Sequence, residues 1–341
     1  MKIFLGIDPG FRDEWHVFPF AKTLATWFDR ERIAWTLDPD EPEIDAAVLI
    51  QWATPIDAVE RLRRRGVILV HRLDGRARSL VKCPQNDAVN RAVNRLADWT
   101  VYQSAYVREH TAGTIDTFFG TEGPIVQDPS RASIIYNGVD RSVFRPDAPR
   151  VDLEHGEDLK VLHVSFGSGV RKGVDHLVAV AELLRENPRV HFYCLGRQGG
   201  DVIWGERLRS LPNVTLLGAT GDRARIAGVM AACDVLLFPS ENDYCPNTVL
   251  EAMSCGLPVI YHDSGGTPEL VRDGDLVAGV ATIDANPAYP LYAVWRHLDE
   301  MSRRAVQLAD RRFRMERMGE EYVGLIERLQ AERREAAAGA A

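Results

Sequence analysis

No apolar run in this chain approaches the ~18 residues that a membrane-spanning helix needs, and residues 2–7 are too short for the apolar core of a secretory signal. A soluble, cytoplasmic protein is the expectation. Cysteine is scarce: Cys83, Cys194, Cys233, Cys245 and Cys255 are an odd set without CxxC spacing, which argues against a disulfide framework and for a reduced compartment. Basic charge is in deficit, with 41 Lys and Arg against 49 Asp and Glu, a net charge of −8, so a nucleic-acid partner is not expected. No internal repeat of fixed period is present. Acid pairs that could hold a metal are few. Asp38-Pro39-Asp40 and Asp273-Gly274-Asp275 both lie in turn-like sequence and read as turns, so no metal site is assigned.

What is present is a chain of 341 residues, long enough for two domains of about 150 residues each. Short apolar strands alternate with amphipathic helices almost throughout, the pattern of parallel sheets covered on both faces. Strands are expected near 2–7, 32–36, 46–51, 67–71, 99–103 and 132–136, with helices near 16–28, 55–65 and 86–97. The pattern lapses at Arg145-Pro146-Asp147-Ala148-Pro149-Arg150 and in the acidic stretch through Asp158. A first domain over 1–146, a linker over 147–158 and a second domain over 159–310 follow. Strands of the second are expected near 159–164, 190–195, 213–217, 234–238, 258–261 and 277–280. Residues 289–330 read as a long helical tail, and 332–341 have too little to bury to stay ordered.

The most informative stretch runs from Pro239 to Ile260. The segment Asp234-Val235-Leu236-Leu237-Phe238 before it reads as a strand buried on both faces. Pro246 suits a helix start, Gly256 the left-handed residue after the last turn, and Pro258 blocks continuation. Asp243 therefore falls in the loop and Glu251 on the short helix. Open parallel sheets hold ligands at this edge, and a helix N-terminus offers N–H groups to an anion. One carboxylate suits sugar hydroxyls and the other a ribose diol. On spacing alone, a solvated loop acid and a helix-surface Glu are the plainer reading of the pair. Two glycine-containing segments weigh against that. Ser264-Gly265-Gly266-Thr267-Pro268-Glu269 follows a strand, and its glycines let a phosphate approach, although Gly-Gly after a strand is often only a turn. Arg171-Lys172-Gly173 follows the strand ending at Val164 and sets two cations at the same sheet edge; taken alone, a surface basic pair before a helix explains it equally well.

In this order, these segments resemble the retaining glycosyltransferases of family 4, which have the α/β GT-B fold of two Rossmann-like domains facing each other across a cleft. The resemblance covers most of 132–271. It also rests on Ile135-Tyr136-Asn137-Gly138-Val139-Asp140 with Phe144-Arg145-Pro146, and on Asn213-Val214-Thr215-Leu216-Leu217-Gly218. It implies that Glu251 binds the donor ribose, Lys172 the diphosphate and Asp243 the donor sugar. The amides of Asn247, Thr248, Val249 and Leu250 and the Gly265-Gly266-Thr267 loop would hold the phosphates, and the loop at Gly218 would lie near the base. Asp243 departs from the family's usual Glu, which bears on donor choice. Where the family often has Gly-Arg, this chain has Ser165-Phe166, and Arg171 is the substitute on offer.

The first half resembles the family less. Gly10 sits where a glycine-rich loop approaches the donor, and His71 ends an apolar strand where the family keeps a histidine near the transferred sugar, with Arg72, Asp74 and Gly75 after it. A lone His is as often structural. Arg61, Arg63, Arg64 and Arg65 offer a basic face for peripheral membrane contact and a lipid-linked acceptor; cations complementing a helix C-terminus capped by Gly66 are the stronger reading.

The resemblance thus implies a metal-independent, retaining transferase in polysaccharide or glycoconjugate biosynthesis, with no cofactor. A nucleotide-sugar donor would sit on residues 159–280, and a sugar, lipid-linked or small-molecule acceptor on 1–140. The tail from 311 to 341 is expected to pack back on the first domain. A sugar-nucleotide epimerase of the same fold and a non-catalytic sugar-nucleotide-binding protein remain alternatives.

Overall fold

The computed structural model describes residues 1–7, 19–76, 85–117, 120–153, 159–165, 172–197, 202–282 and 288–339. The chain forms two compact units, residues 1–138 with 315–341, and residues 139–314.

Unit 1 contains β1 (Lys2–Gly6), α1 (Pro19–Glu31), β2 (Ala34–Thr36), β3 (Ala46–Ile50), α2 (Ile56–Arg64), β4 (Ile68–Leu73), α3 (Gln85–Leu96), β5 (Trp99–Tyr102), α4 (Ala105–Ala112), the hairpin β6 (Ile115–Thr117) and β7 (Gly120–Glu122), and β8 (Ala132–Ile134). Its parallel sheet runs β2-β1-β3-β4-β5-β8, so the strand order reverses between β1 and β3. Both sides of these strands are apolar. Ile3 and Leu5 pack with Val48, Val70 and the helix α1 on one face, while Phe4, Leu49 and Leu69 pack with Val59 and Leu62 of α2 on the other.

Unit 2 contains β9 (Leu159–Ser165), α5 (Val174–Leu183), β10 (Val190–Gly196), α6 (Val202–Ser210), β11 (Val214–Gly218), α7 (Arg223–Ala232), β12 (Val235–Phe238), α8 (Asn247–Ser254), β13 (Val259–Tyr261), α9 (Thr267–Leu270), the hairpin β14 (Arg272–Asp273) and β15 (Leu276–Val277), β16 (Gly279–Ala281), α10 (Tyr289–Arg296) and α11 (Leu298–Arg312). The parallel sheet runs β11-β10-β9-β12-β13-β16, the order of a dinucleotide-binding fold, reversing between β9 and β12. All four residues of β12 are buried, as its unbroken apolar run requires.

The terminal helix α12 (Met315–Gly339) belongs to unit 1. Met315, Met318, Gly319, Tyr322, Leu325, Ile326 and Leu329 recur at helical spacing and are all buried, so one stripe of the helix completes the unit 1 core. Tyr322 meets Phe20 with ring centroids 5.6 Å apart.

Several boundaries differ from the sequence reading. The unit boundary falls between Gly138 and Val139 rather than at 147–158. Residues 139–153 pack on unit 2 because Phe144 and Ala148 are buried there and the Val151 amide donates to the Gly228 carbonyl at 3.2 Å. The single long tail is three helices, interrupted at His297 and Phe313. The expected disorder from 332 onward gives way to helix through Gly339, pinned by Arg333, which donates to Asp98 at 2.7 Å and to the Gly66 carbonyl at 2.5 Å.

The basic face of α2 is met from within the unit. Arg61 pairs with Asp40 at 3.0 Å and Asp57 at 2.6 Å, Arg63 pairs with Asp98 at 2.6 Å, and Arg65 donates to the Pro39 carbonyl at 2.7 Å. Two of the four cations, Arg61 and Arg63, are thus matched by carboxylates of the same unit. No helix among the described residues is long and apolar enough to cross one.

Gly319 of α12 packs directly on α1: a Cβ there would clash with the Trp27 indole. Gly319→Ala should therefore destabilise the protein by roughly 1–3 kcal/mol through overpacking, read as a lowered denaturation midpoint in urea at unchanged slope.

Candidate functional site

Three strand ends of unit 2 are laced together at the carboxyl edge of its sheet. After β12 the chain runs through Pro239, buried Ser240, Glu241 and Asn242, whose φ of +52° turns it back at Asp243. After β9, Lys172 precedes Gly173, which has φ +69° and begins α5. Any side chain at Gly173 would strike the Pro239 carbonyl, so only glycine allows the two loops to touch. That contact brings Lys172 Nζ to 2.7 Å from Asp243 Oδ2, with the Ser240 hydroxyl 3.4 Å from the same oxygen. The loop after β13 closes the third side. The Gly266 amide donates to the Asp243 carbonyl at 2.7 Å, and the Asn242 amide donates to Ser264 Oγ at 2.9 Å, which also lies 2.9 Å from His262 Nδ1.

This changes the part given to the glycine pair. Gly265 has φ +70° and packs directly on the Asp243 backbone, and the Gly266 N–H is taken by Asp243. The pair fixes the carboxylate's loop rather than offering both amides to a phosphate. Thr267 is fully buried, away from any ligand at the surface.

Helix α8 begins at Asn247 with Pro246 just outside it. The Val249 and Leu250 amides donate to the Pro246 carbonyl at 3.1 and 3.4 Å and their side chains are buried, whereas Asn247 and Thr248 of the same turn are half-buried. Gly256, with φ +91°, follows the last turn.

One turn into α8, Glu251 is 12 % exposed at its side chain and forms an ion pair with Arg223 at 3.2 Å. Burial pushes the Glu251 carboxyl above its ordinary range, and Arg223 pulls it back. Arg223 also lies 4.7 Å from the centroid of the Phe144 ring. Nothing in the motif spacing pointed to Arg223. The available signal was Asp222, which caps α7 by accepting from the Ala224 and Arg225 amides at 2.9 and 3.3 Å and so sets Arg223 in the first turn after β11. The loop between them starts at Gly218, exposed, with φ +73° and open space around it.

His71 is in unit 1. Strand β4 continues past it to Leu73, so it lies inside the sheet, paired in register with Leu49 and Thr100, rather than at the strand end. It is fully buried, 3.2 Å from Asn94 Nδ2, and burial lowers its pKa to about 4. At neutral pH it is an uncharged core residue without access to a sugar. Gly10 and Arg171 lie outside the described residues.

Among the described residues no group of three or more His, Cys, Asp or Glu side chains is placed to hold a metal ion. Asp38 and Asp40 share a turn, the Asp40 amide donating to Asp38 Oδ1 at 3.2 Å, and Asp273 pairs with Arg311 at 3.1 Å.

Loss of Arg223 has a pH signature. The folded-state pKa of Glu251 is raised above its unfolded value, so this group favours folding on acidification and opposes it once ionised. Arg223→Ala removes the lowering partner, and the unpaired carboxylate should cost roughly 1–3 kcal/mol near pH 7 and less near pH 5. Urea denaturation at both pH values, with the double variant Arg223→Ala, Glu251→Gln as the relieved control, is the measurement; an equal loss at both pH values would exclude the linkage.

Residues 159–294 match the family described as Glycosyl transferases group 1. Among curated relatives, an alpha-maltose-1-phosphate synthase of Mycolicibacterium smegmatis is 33 % identical over 162 residues, 43 % of this chain and 41 % of the relative. A D-inositol 3-phosphate glycosyltransferase of Streptomyces bingchenggensis is 30 % identical over 177 residues, 47 % of this chain and 38 % of the relative. The matched stretch thus spans less than half of either relative. In three dimensions the chain is similar to Anabaena HepE in complex with UDP and glucose, at TM-score 0.66 and 18 % identity, covering 96 % of this chain and 99 % of that one. It is also similar to sucrose-phosphate synthase of Thermosynechococcus elongatus, at TM-score 0.62 and 18 % identity, covering 94 % and 80 %. With its two parallel six-stranded sheets, the chain has the GT-B fold, and the part of it that is similar to the glycosyl transferases group 1 family is residues 159–294.

Proposed function

We propose that this protein transfers a sugar from a nucleotide-diphosphate sugar to an acceptor hydroxyl, with retention of anomeric configuration and without a metal ion, in the assembly of a polysaccharide or glycoconjugate. The observation that carries the reading is the Lys172–Asp243 pair, 2.7 Å apart at the point where the unit 2 sheet reverses, with Glu251 on the helix that follows.

Each group has a task that its surroundings fit. Glu251, held by Arg223, accepts hydrogen bonds from the ribose diol. The start of α8, with the amide of half-buried Thr248, faces the phosphates. Lys172 is 39 % exposed and Asp243 20 %, so both remain within reach of a ligand. A diphosphate competes with Asp243 for the ammonium group, and as it takes Lys172 it releases Asp243 to accept from hydroxyls of the donor sugar. The charge on the diphosphate grows as the sugar–phosphate bond breaks, so a cation there stabilises the transition state more than the bound donor. Asp243 is one methylene shorter than Glu, which places the sugar hydroxyls it binds nearer the loop and bears on donor selection. UDP and UDP-glucose, found bound in HepE, are the first ligands to test.

Two outcomes are expected. Lys172→Ala should lower kcat by roughly 10²-fold or more while donor KM changes much less, since the removed interaction strengthens only as the diphosphate leaves. Steady-state kinetics with the best donor decides it; a rise in KM alone would reduce Lys172 to a ground-state binding group. The glycoside formed at early time should keep the donor's anomeric configuration, and turnover should continue in EDTA, both read by NMR. An inverted product would overturn the retaining mechanism. Loss of turnover restored by Mg²⁺ or Mn²⁺ would overturn the metal-free diphosphate site.

A further inference from the structure

In unit 1 the sheet reverses between β1 and β3, which makes the carboxyl edge beside those strands the place where an open parallel sheet accommodates a ligand. Two side chains are presented there in a way that core packing does not require. Trp52, two residues after β3, is 40 % exposed, whereas Trp35, Trp99, Tyr106 and Tyr136 of the same unit are half-buried and Phe4, Phe20, Trp27, Phe28 and Tyr102 are each 6 % exposed or less. Its turn is tightly specified. Gln51 takes φ +50°, unusual for a residue with a side chain, and its amide donates to the Arg72 carbonyl at 2.8 Å. The Ala53 amide returns to the Ile50 carbonyl at 3.0 Å, and Thr54, fully buried, lies so close to Gly6 that no Cβ fits between them.

The second side chain is Asp74, directly after β4. The register pairs Ile50 with Arg72, so Trp52 and Asp74 leave neighbouring strands beyond the same row. Asp74 is the exposed end of a buried polar network. Arg72, 2 % exposed, lies 3.8 Å from the centroid of the Phe20 ring, donates to Gln103 Oε1 at 2.9 Å and to Asn137 Oδ1 at 2.8 Å, and forms an ion pair with the Asp74 carboxylate. Gln103 Nε2 donates to the Asp74 carbonyl at 2.8 Å. Only Asp74, 27 % exposed at its side chain, carries this network's charge to the surface. Burying an arginine in this way is costly, and a well-packed apolar side chain would usually serve stability as well. Its evident consequence is a carboxylate held at a fixed position and angle.

We infer that Trp52 and Asp74 form a subsite for a polyhydroxylated ring, a carbohydrate or cyclitol, with the apolar C–H face of the ring on the indole and adjacent hydroxyls donating to the carboxylate. The inference rests on the transferase reading, which requires an acceptor hydroxyl, and it assigns that acceptor's ring to this edge of unit 1. Arg72 is a positioning residue that acts through Asp74.

Saturation-transfer NMR on the full chain with methyl α-D-glucopyranoside, methyl α-D-mannopyranoside and myo-inositol as probes, in the presence of UDP, tests the subsite, and calorimetric titration of UDP runs beside it. At least one probe should receive saturation from the wild-type chain. That signal should fall about fivefold or more in Trp52→Ala and in Asp74→Asn and persist in Trp52→Phe, at unchanged UDP affinity. An undiminished signal in both variants overturns the subsite, as does a wild-type chain that binds UDP but gives no signal with any probe. A wild-type chain that binds neither UDP nor ADP, GDP or dTDP in the same calorimetry overturns the transferase reading and the subsite with it, and the calorimetry tells this result from the others.

Discussion

The close approach of the β9 and β12 loops is the constraint on which the unit 2 site depends. Strand order reverses between these two strands, so the connections leaving them diverge to opposite sides of the sheet and leave the carboxyl edge open. Gly173 and Gly265 then let backbone press on backbone, one against Pro239 and the other against Asp243. Lys172 and Asp243 meet because of that packing. A side chain at either glycine would have to push the loops apart before the ammonium and carboxylate could come within 2.7 Å.

In both units, charges withdrawn from water are placed in pairs. Glu251 has Arg223, Asp98 has Arg63 and Arg333, and Arg72 has Asp74. In each case the partner comes from a different element or from a strand end, so the pairing is a product of the fold and not of local helix spacing. Asp98 shows the balance: burial pushes its carboxyl up, yet hydrogen bonds from the Leu69 amide, Arg333 and Arg63 together hold it below its ordinary value. Glu251, paired with Arg223, stays above.

The two sheets solve the same packing problem and present different chemistry at their open edges. Unit 2 offers a cation, two carboxylates and a helix start, which suits a ligand carrying both phosphates and hydroxyls. Unit 1 offers an indole and a carboxylate backed by a buried arginine, which suits hydroxyls and an apolar ring face. The division of labour proposed for donor and acceptor follows from these side chains, since the fold alone is shared by proteins of many activities.

The amino-acid sequence by itself determined the alternation of buried strands and amphipathic helices, because apolar periodicity is a local property, and the short helix between Pro246 and Gly256, because its start and stop residues act within a turn or two. It also brought Lys172, Asp243 and Glu251 to notice, since motif spacing along one sheet edge is readable without coordinates. Tertiary structure decided what the spacing could not. His71 lies inside β4 because the strand runs on to Leu73, and no pattern in Val67-Ile68-Leu69-Val70 marks where the pairing with β3 and β5 ends. The Gly266 amide is spent on Asp243, Arg223 reaches Glu251 from another helix, and α12 completes the core of unit 1 although it follows unit 2 in the chain. Each of these depends on contacts between residues distant in sequence, whose free energy is settled only when the burial, hydrogen-bonding and steric demands of all the elements are satisfied together.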